Sequence, residues 1–151
     1  MPTRTDLVGG GGYRSGGETQ MPVSSMTETF ENVVERYFAA LNDEDYGALM
    51  EVFHPDIVLR PPGTRARIGH DEVLQFFHKV FEKFPRHVDA PERVLCDGSC
   101  VVVEIGFNGI ASNDKEVSFA AVDIFDIEDG RIVGLSQWFD TAEVARQVGV
   151  N

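Results

Sequence analysis

The stretch VSFAAVDIFDIEDGRIVGLSQWF, residues 117–139, decides the fold. It holds two runs rich in β-branched and aromatic residues, separated by Glu128-Asp129-Gly130, the composition of a tight turn between antiparallel strands. Side chains alternate between the faces of a strand, so Val117, Phe119, Ala121, Asp123, Phe125 and Ile127 share one face, and all but Asp123 are apolar. The opposite face carries Ser118, Ala120, Val122, Ile124, Asp126 and Glu128 and is polar only at its ends, so a one-residue slip in register would not move Asp123 into an evidently wet neighbourhood. A carboxyl among apolar side chains is costly when ionised and unpaired, so Asp123 is expected to be protonated, paired or used in chemistry. The bland alternative is an edge strand or wet interface where it hydrogen-bonds a neighbour.

Upstream of the hairpin the pattern is strand-like from about His87 to Cys96, turns at Asp97-Gly98, and continues from Cys100 to Ile110 before a polar turn at Ser112 to Lys115. Before Pro85 the periodicity is helical. Phe30, Val33, Val34, Tyr37, Phe38 and Leu41 form one stripe starting near Thr27, and Val73, Phe76, Phe77, Val80, Phe81 and Phe84 form another starting near His70. A shorter helix carries Tyr46, Leu49, Met50 and Phe53, with a short strand, Ile57 to Arg60, after Pro55. The run Asp43-Glu44-Asp45 is most simply a solvated helix connection. A short helix from Thr141 to Val148 closes the chain. Helices first and antiparallel strands afterwards define an α+β domain, a curved antiparallel sheet wrapped around N-terminal helices as a cone whose interior holds a small-molecule pocket.

With 151 residues, 42% hydrophobic and 11 Phe, the chain suits one domain with one substantial core. Residues 1–25 hold six of the 15 glycines and no periodicity, so they are expected to be a flexible tail preceding a domain over 26–149. A net charge of -12 and an isoelectric point near 4.6 argue against nucleic acid or an anionic membrane as partner, and leave an apolar small molecule. No apolar run is long enough to span a bilayer and no secretory signal is evident, so the expected location is cytoplasmic, with Cys96 and Cys100 as reduced thiols. No spacing among the four His and two Cys suggests a metal site.

Three stretches carry a family resemblance: Val33-Val34-Glu35-Arg36-Tyr37-Phe38-Ala39-Ala40-Leu41-Asn42, then Phe53-His54-Pro55-Asp56, then Asp123-Ile124-Phe125 leading to Asp129-Gly130-Arg131-Ile132. Over about Thr27 to Gly149 the chain resembles the nuclear transport factor 2-like superfamily, and within it the ketosteroid isomerases and the SnoaL-like polyketide cyclases. The closing Trp138-Phe139-Asp140-Thr141 is similar to the SnoaL-like tail. The resemblance implies a cone-shaped α+β barrel of cystatin-like type and a homodimer through the outer sheet face, to which Val122 and Ile124 are suited; no cofactor is expected, because proton transfers and cyclisations need none.

The resemblance also implies residue roles. Tyr37 falls where ketosteroid isomerases place their oxyanion-hole tyrosine, and Asp123 where they place a protonated aspartic acid that donates to an enolate. The family's carboxylate base stands just before a proline at the end of the first strand, where this chain has Arg60 and Pro61, and a guanidinium cannot abstract a proton at neutral pH. Arg60 is therefore expected to bind a substrate carboxylate or polarise a carbonyl. Glu104, a second carboxyl in an apolar strand, is the candidate to supply the base or to pair with Asp123. The Arg-Asp-Asp set of the limonene-epoxide hydrolases is incomplete, since Gln137 replaces one Asp. Gln137 and Phe139 share a face of the last strand, and with Phe119, Phe125 and His87 they are the expected substrate-binding residues. The expected activity is a cofactor-independent cyclase or isomerase acting on an apolar, carbonyl-bearing, polyketide-like metabolite. A non-catalytic ligand-binding or partner-binding domain of the same fold is the alternative.

Overall fold

The structure, a computed structural model, describes residues 23–149. Of the expected tail, residues 1–22 lie outside the described residues. Val23 to Ser25 are helical, so the first helix begins four residues before the Thr27 start signal. The elements run α1 (Val23–Asp43), α2 (Tyr46–Val52), β1 (Phe53–Arg60), β2 (Arg67–Ile68), α3 (Gly69–Lys83), β3 (Arg86–Asp97), β4 (Cys100–Ile110), β5 (Glu116–Glu128), β6 (Arg131–Phe139) and α4 (Thr141–Val148).

Each helix end has a local cause. α1 stops where Glu44 turns left-handed, with Glu44 N–H donating to Leu41 O at 3.2 Å and Asp45 N–H to Ala40 O at 2.9 Å. Asp45 then caps α2, its carboxylate accepting from Ala48 N–H at 3.0 Å. Phe53, expected in α2, is instead the first residue of β1 and stacks on Phe77 at 6.1 Å. A single apolar residue at the end of a short helix fits either period, and packing against α3 decides. The second hairpin behaves as its sequence requires: Val117, Asp123, Phe125 and Ile127 of β5 are buried while Ser118, Ala120, Asp126 and Glu128 are exposed.

The six strands form one curved, unclosed sheet in the order β2-β1-β6-β5-β4-β3. All neighbours are antiparallel except β1 and β6, which run parallel, with Leu59 opposite Leu135 and Arg60 opposite Ser136. α1 packs on β3, α3 on β1 and α4 on β5. This is the α+β architecture expected, with a parallel pair that short-range pattern does not report.

Burial divides into two clusters. The larger joins Val33, Tyr37 and Phe38 of α1 with Phe77 and Phe81 of α3 and with Val103, Ile105, Phe125 and Leu135 of the sheet. The smaller joins Phe84, Phe107, Ala111 and Val117 with Val144 and Val148 of α4. Between them the inner face of the sheet is left open as a cavity bordered by Phe77, Phe81 and Ile105 on one side and Phe84, Phe107 and Val144 on the other.

Candidate active site

The cavity has a volume of about 340 Å³, enough for a small metabolite. Its exposed lining residues, Thr64, Lys83 and Thr141, mark the mouth, and Phe76, Phe77, Phe81, Phe84, Phe107, Phe119 and Phe139 supply most of the wall. Four polar side chains from the sheet, His87 among them, stand out against this apolar surface. Asp123 of β5 lies directly opposite Gln137 of β6, so the antiparallel register delivers both to one face. Asp89 of β3 also lines the cavity.

Asp123 is 3% exposed. No side chain of the described residues pairs with it, and burial, then the charge of Asp89, pushes its carboxyl well above the ordinary range. Burial also pushes Asp89 up to about 6, opposed by the His87 imidazole. The two carboxyls titrate as a pair, and the first proton leaves from Asp89. Ionisation of the cavity near neutral pH therefore begins at Asp89, while burial and that charge oppose ionisation of Asp123.

His87 faces the same cavity two residues before Asp89, its ring stacked on Phe81 at 5.0 Å. Its Nε2 meets Glu44 Oε2 at 2.8 Å, so the 43–45 run, expected to be only a solvated connection, supplies a partner to the cavity wall. Tyr37 is fully buried behind the carboxyls. Its ring is boxed by Phe38 at 5.0 Å and Phe125 at 5.2 Å, and it is not part of the cavity wall. Burial foremost, then the charges of Asp123 and Asp89, raises its phenol above the ordinary value, and the Gln137 amide beside it acts in the opposite direction. The Gln137 amide nevertheless falls short of hydrogen-bond geometry, leaving the Tyr37 hydroxyl a buried polar atom without a partner among the described residues.

Asp123, Gln137, Phe119, Phe139 and His87 are thus brought together as expected. Four expected site residues are not: Tyr37, buried behind the wall, and Glu104, Arg60 and Phe125. Glu104 pairs across the ladder with Val122, so it points to the outer face, where its side chain is 53% exposed and faces Arg93 at 4.0 Å. Arg60 follows the buried Leu59 and so also faces outward, exposed, and it is not in the place a substrate-facing group requires. Phe125 lies under α1 against Tyr37 and Phe38, deeper than the cavity floor.

Asp89 is the residue that sequence reasoning missed. β3 has exposed Val88, Val94 and Leu95, so its apolar pattern does not identify the inner face. The signal available was the one used for Asp123, a carboxyl on one face of a strand-like run, here with His87 two positions away. Among the described residues no three His, Cys, Asp or Glu side chains converge as a metal site would require.

Two stability measurements test this geometry. Asp89 is protonated more readily folded than unfolded, so the folded state binds the extra proton between about 4 and about 6 and stability falls as pH rises through that window. The roughly two-unit difference corresponds to on the order of 2–3 kcal/mol, fully felt above about pH 7. Asp89→Asn should therefore raise the melting temperature at about pH 8 and gain much less at about pH 4; equal effects at both would contradict a buried, charge-strained carboxyl. Tyr37→Phe removes an unpartnered hydroxyl and should leave stability unchanged or raised by up to about 1 kcal/mol in urea denaturation, whereas a loss of 1 kcal/mol or more would mean the hydroxyl is bonded.

The family model for the SnoaL-like domain matches residues 34–135. An NTF2-like protein of unknown function from Burkholderia pseudomallei K96243 superposes with a TM-score of 0.76 at 24% identity, covering 81% of this chain and 98% of that one. A candidate SnoaL-like polyketide cyclase from Jannaschia sp. CCS1 gives 0.77 at 20% identity, covering 89% and 99%. An epoxide hydrolase of the LEH-like type from M. tuberculosis gives 0.70 at 22% identity, covering 82% and 91%. No curated protein matches the chain. Identities this low establish a shared fold and leave the chemistry to the site. With most of its length, from the middle of α1 into β6, matched by that model, the chain belongs to the SnoaL-like domain family.

Proposed function

We propose that this protein is a cofactor-independent cyclase or isomerase that forms an enol from an apolar, carbonyl-bearing metabolite, with Asp89 as base and Asp123 as acid. The observation that supports this reading is the presence of two unpaired carboxyls facing one largely aromatic cavity. Asp89, ionised near neutrality, takes a proton from the carbon beside the carbonyl. Asp123, still protonated, donates to the carbonyl oxygen as negative charge develops there. The C–H electron pair becomes the carbon–carbon double bond of the enol. In an isomerisation the proton on Asp89 returns to a different carbon and Asp123 recovers its own. In a ring closure the enol carbon attacks a second carbonyl, the proton on Asp89 passes to the new alkoxide, and the enol oxygen returns its proton to Asp123. Because water is a poor competitor in an aromatic cavity, a single donor there is worth on the order of a hundredfold in rate.

The test needs no natural substrate. A cyclic aryl ketone incubated with the protein in deuterium oxide should take up deuterium at its α-carbon, and Asp89→Asn should slow uptake by about a hundredfold or more. The rate should rise with pH through about 6 as Asp89 ionises and fall again at higher pH as Asp123 loses its proton. Arg60→Asp, on the outer face, should leave the rate unchanged. Saturable binding of the ketone without uptake at any pH would replace this reading with a binding module.

We propose further that a second copy of the chain covers the outer sheet face in a cytoplasmic homodimer. Trp138, 57% exposed, stands there beside Val122, with Ile124 and Leu95 in the next row of the ladder. Trp138→Glu should convert a dimer to a monomer in sedimentation velocity, and a wild-type monomer at micromolar concentration would end the idea.

A further inference from the structure

The turn that closes α1 reaches into the cavity wall at two points. Glu44 holds φ at 52°, the left-handed region where glycine is the usual residue because a Cβ is disfavoured. A glutamate kept in this position suggests that its side chain has a task, since backbone outliers concentrate where function needs them. Its carboxylate accepts the 2.8 Å hydrogen bond of His87, whose side chain is 3% exposed. A carboxylate offers no hydrogen, so Nε2 must carry one, and Nδ1 has no partner among the described residues.

Two residues earlier, at the end of α1, Asn42 donates from Nδ2 to Asp89 O at 3.0 Å and accepts from Asp89 N–H on Oδ1 at 2.9 Å. β3 is an edge strand, and Asp89 stands opposite Phe107 in a position whose backbone groups point to the open side. The Asn42 amide therefore takes the place of the missing neighbouring strand at the residue whose side chain enters the cavity. Just beyond, the ladder to β4 shifts register between Pro91 and Arg93. Neither Asn42 nor Glu44 lines the cavity itself.

We propose that this turn is the positioning device of the site: Asn42 fixes the place of Asp89, and Glu44 fixes the tautomer and plane of His87. The proposal rests on the reading of Asp89 as the base, and it gives the strained turn a reason to exist. One helix terminus holds two wall residues in register, so an edge strand that would otherwise fray presents its carboxylate at a constant position.

Glu44→Gly separates a positioning role from a structural one, because the two predict different changes. Glycine relieves the left-handed backbone, so the melting temperature should stay within a few degrees of the parent's, while His87 at about pH 8 should change from a single Nε2–H tautomer to a mixture in nitrogen-15 correlation spectra. In Asn42→Ala the Asp89 amide should exchange at least about tenfold faster, and the Asp89 carboxyl midpoint should fall from about 6 toward the ordinary range as water reaches the edge. If Asn42→Ala does not fold, Asn42→Asp, which keeps the acceptor but loses the donor, is measured the same way. An unchanged His87 tautomer together with an unchanged Asp89 midpoint overturns the proposal. Altered spectra with an unchanged rate of ketone deuteration would instead leave the positioning intact and remove Asp89 as the base.

Discussion

The structure depends on holding two carboxyl groups, Asp123 buried and Asp89 half-buried, in one aromatic cavity with no ion pair to either. Asp89 and Asp123 enter the same aromatic cavity, and no basic side chain of the described residues pairs with either. Ionising both would place two like charges in a low-dielectric space, so a charge on Asp89 opposes ionisation of Asp123. The rest of the fold keeps that space in shape: α3 and the inner face of the sheet supply the rings, and α4 with Phe84 and Phe107 forms the opposite wall. The arrangement weakens the folded state as pH rises, a cost in stability of the kind common at functional sites.

The same constraint explains why Tyr37 is where it is. Its ring fills the centre of the larger cluster against Phe38, Phe53, Phe77 and Phe125, and its hydroxyl stands near the carboxyls without reaching a bond. A donor buried behind two carboxyls is placed to respond to the charge on them, whereas a donor on the cavity wall would respond to the ligand. This differs from the direct oxyanion-hole role that the family resemblance implied, and the difference comes from a ring boxed on several sides.

Membership in the SnoaL-like family accounts for the scaffold and leaves the reaction open, since the fold-level relatives include a protein of unknown function, a candidate cyclase and an epoxide hydrolase. What distinguishes this chain is its distribution of polar groups. The end of β1 contributes only an outward arginine, and the second carboxyl of the cavity comes instead from the edge strand β3, braced by a turn from the end of α1.

The sequence by itself determined the α+β order, the β5–β6 hairpin and the inward direction of Asp123, because each follows from the period of apolar residues and from turn chemistry within some twenty positions. It also placed Gln137 and Phe139 correctly, since they share one face of one strand. Only the tertiary structure decided the rest. Glu104 and Arg60 were drawn toward the site by residue type and by the resemblance, although Val103, Ile105 and Phe107 in one strand and Ile57 and Leu59 in the other occupy the opposite face, and the ladder partners settle both as outward. Asp89 was hidden because β3 exposes Val88 and Leu95 on its outer side and turns a histidine and a carboxyl inward. Asn42 and Glu44 act on residues more than 40 positions away, across a contact between a helix end and an edge strand. Local sequence sets which face of an element a side chain occupies, but which faces meet is settled by the packing of the whole domain.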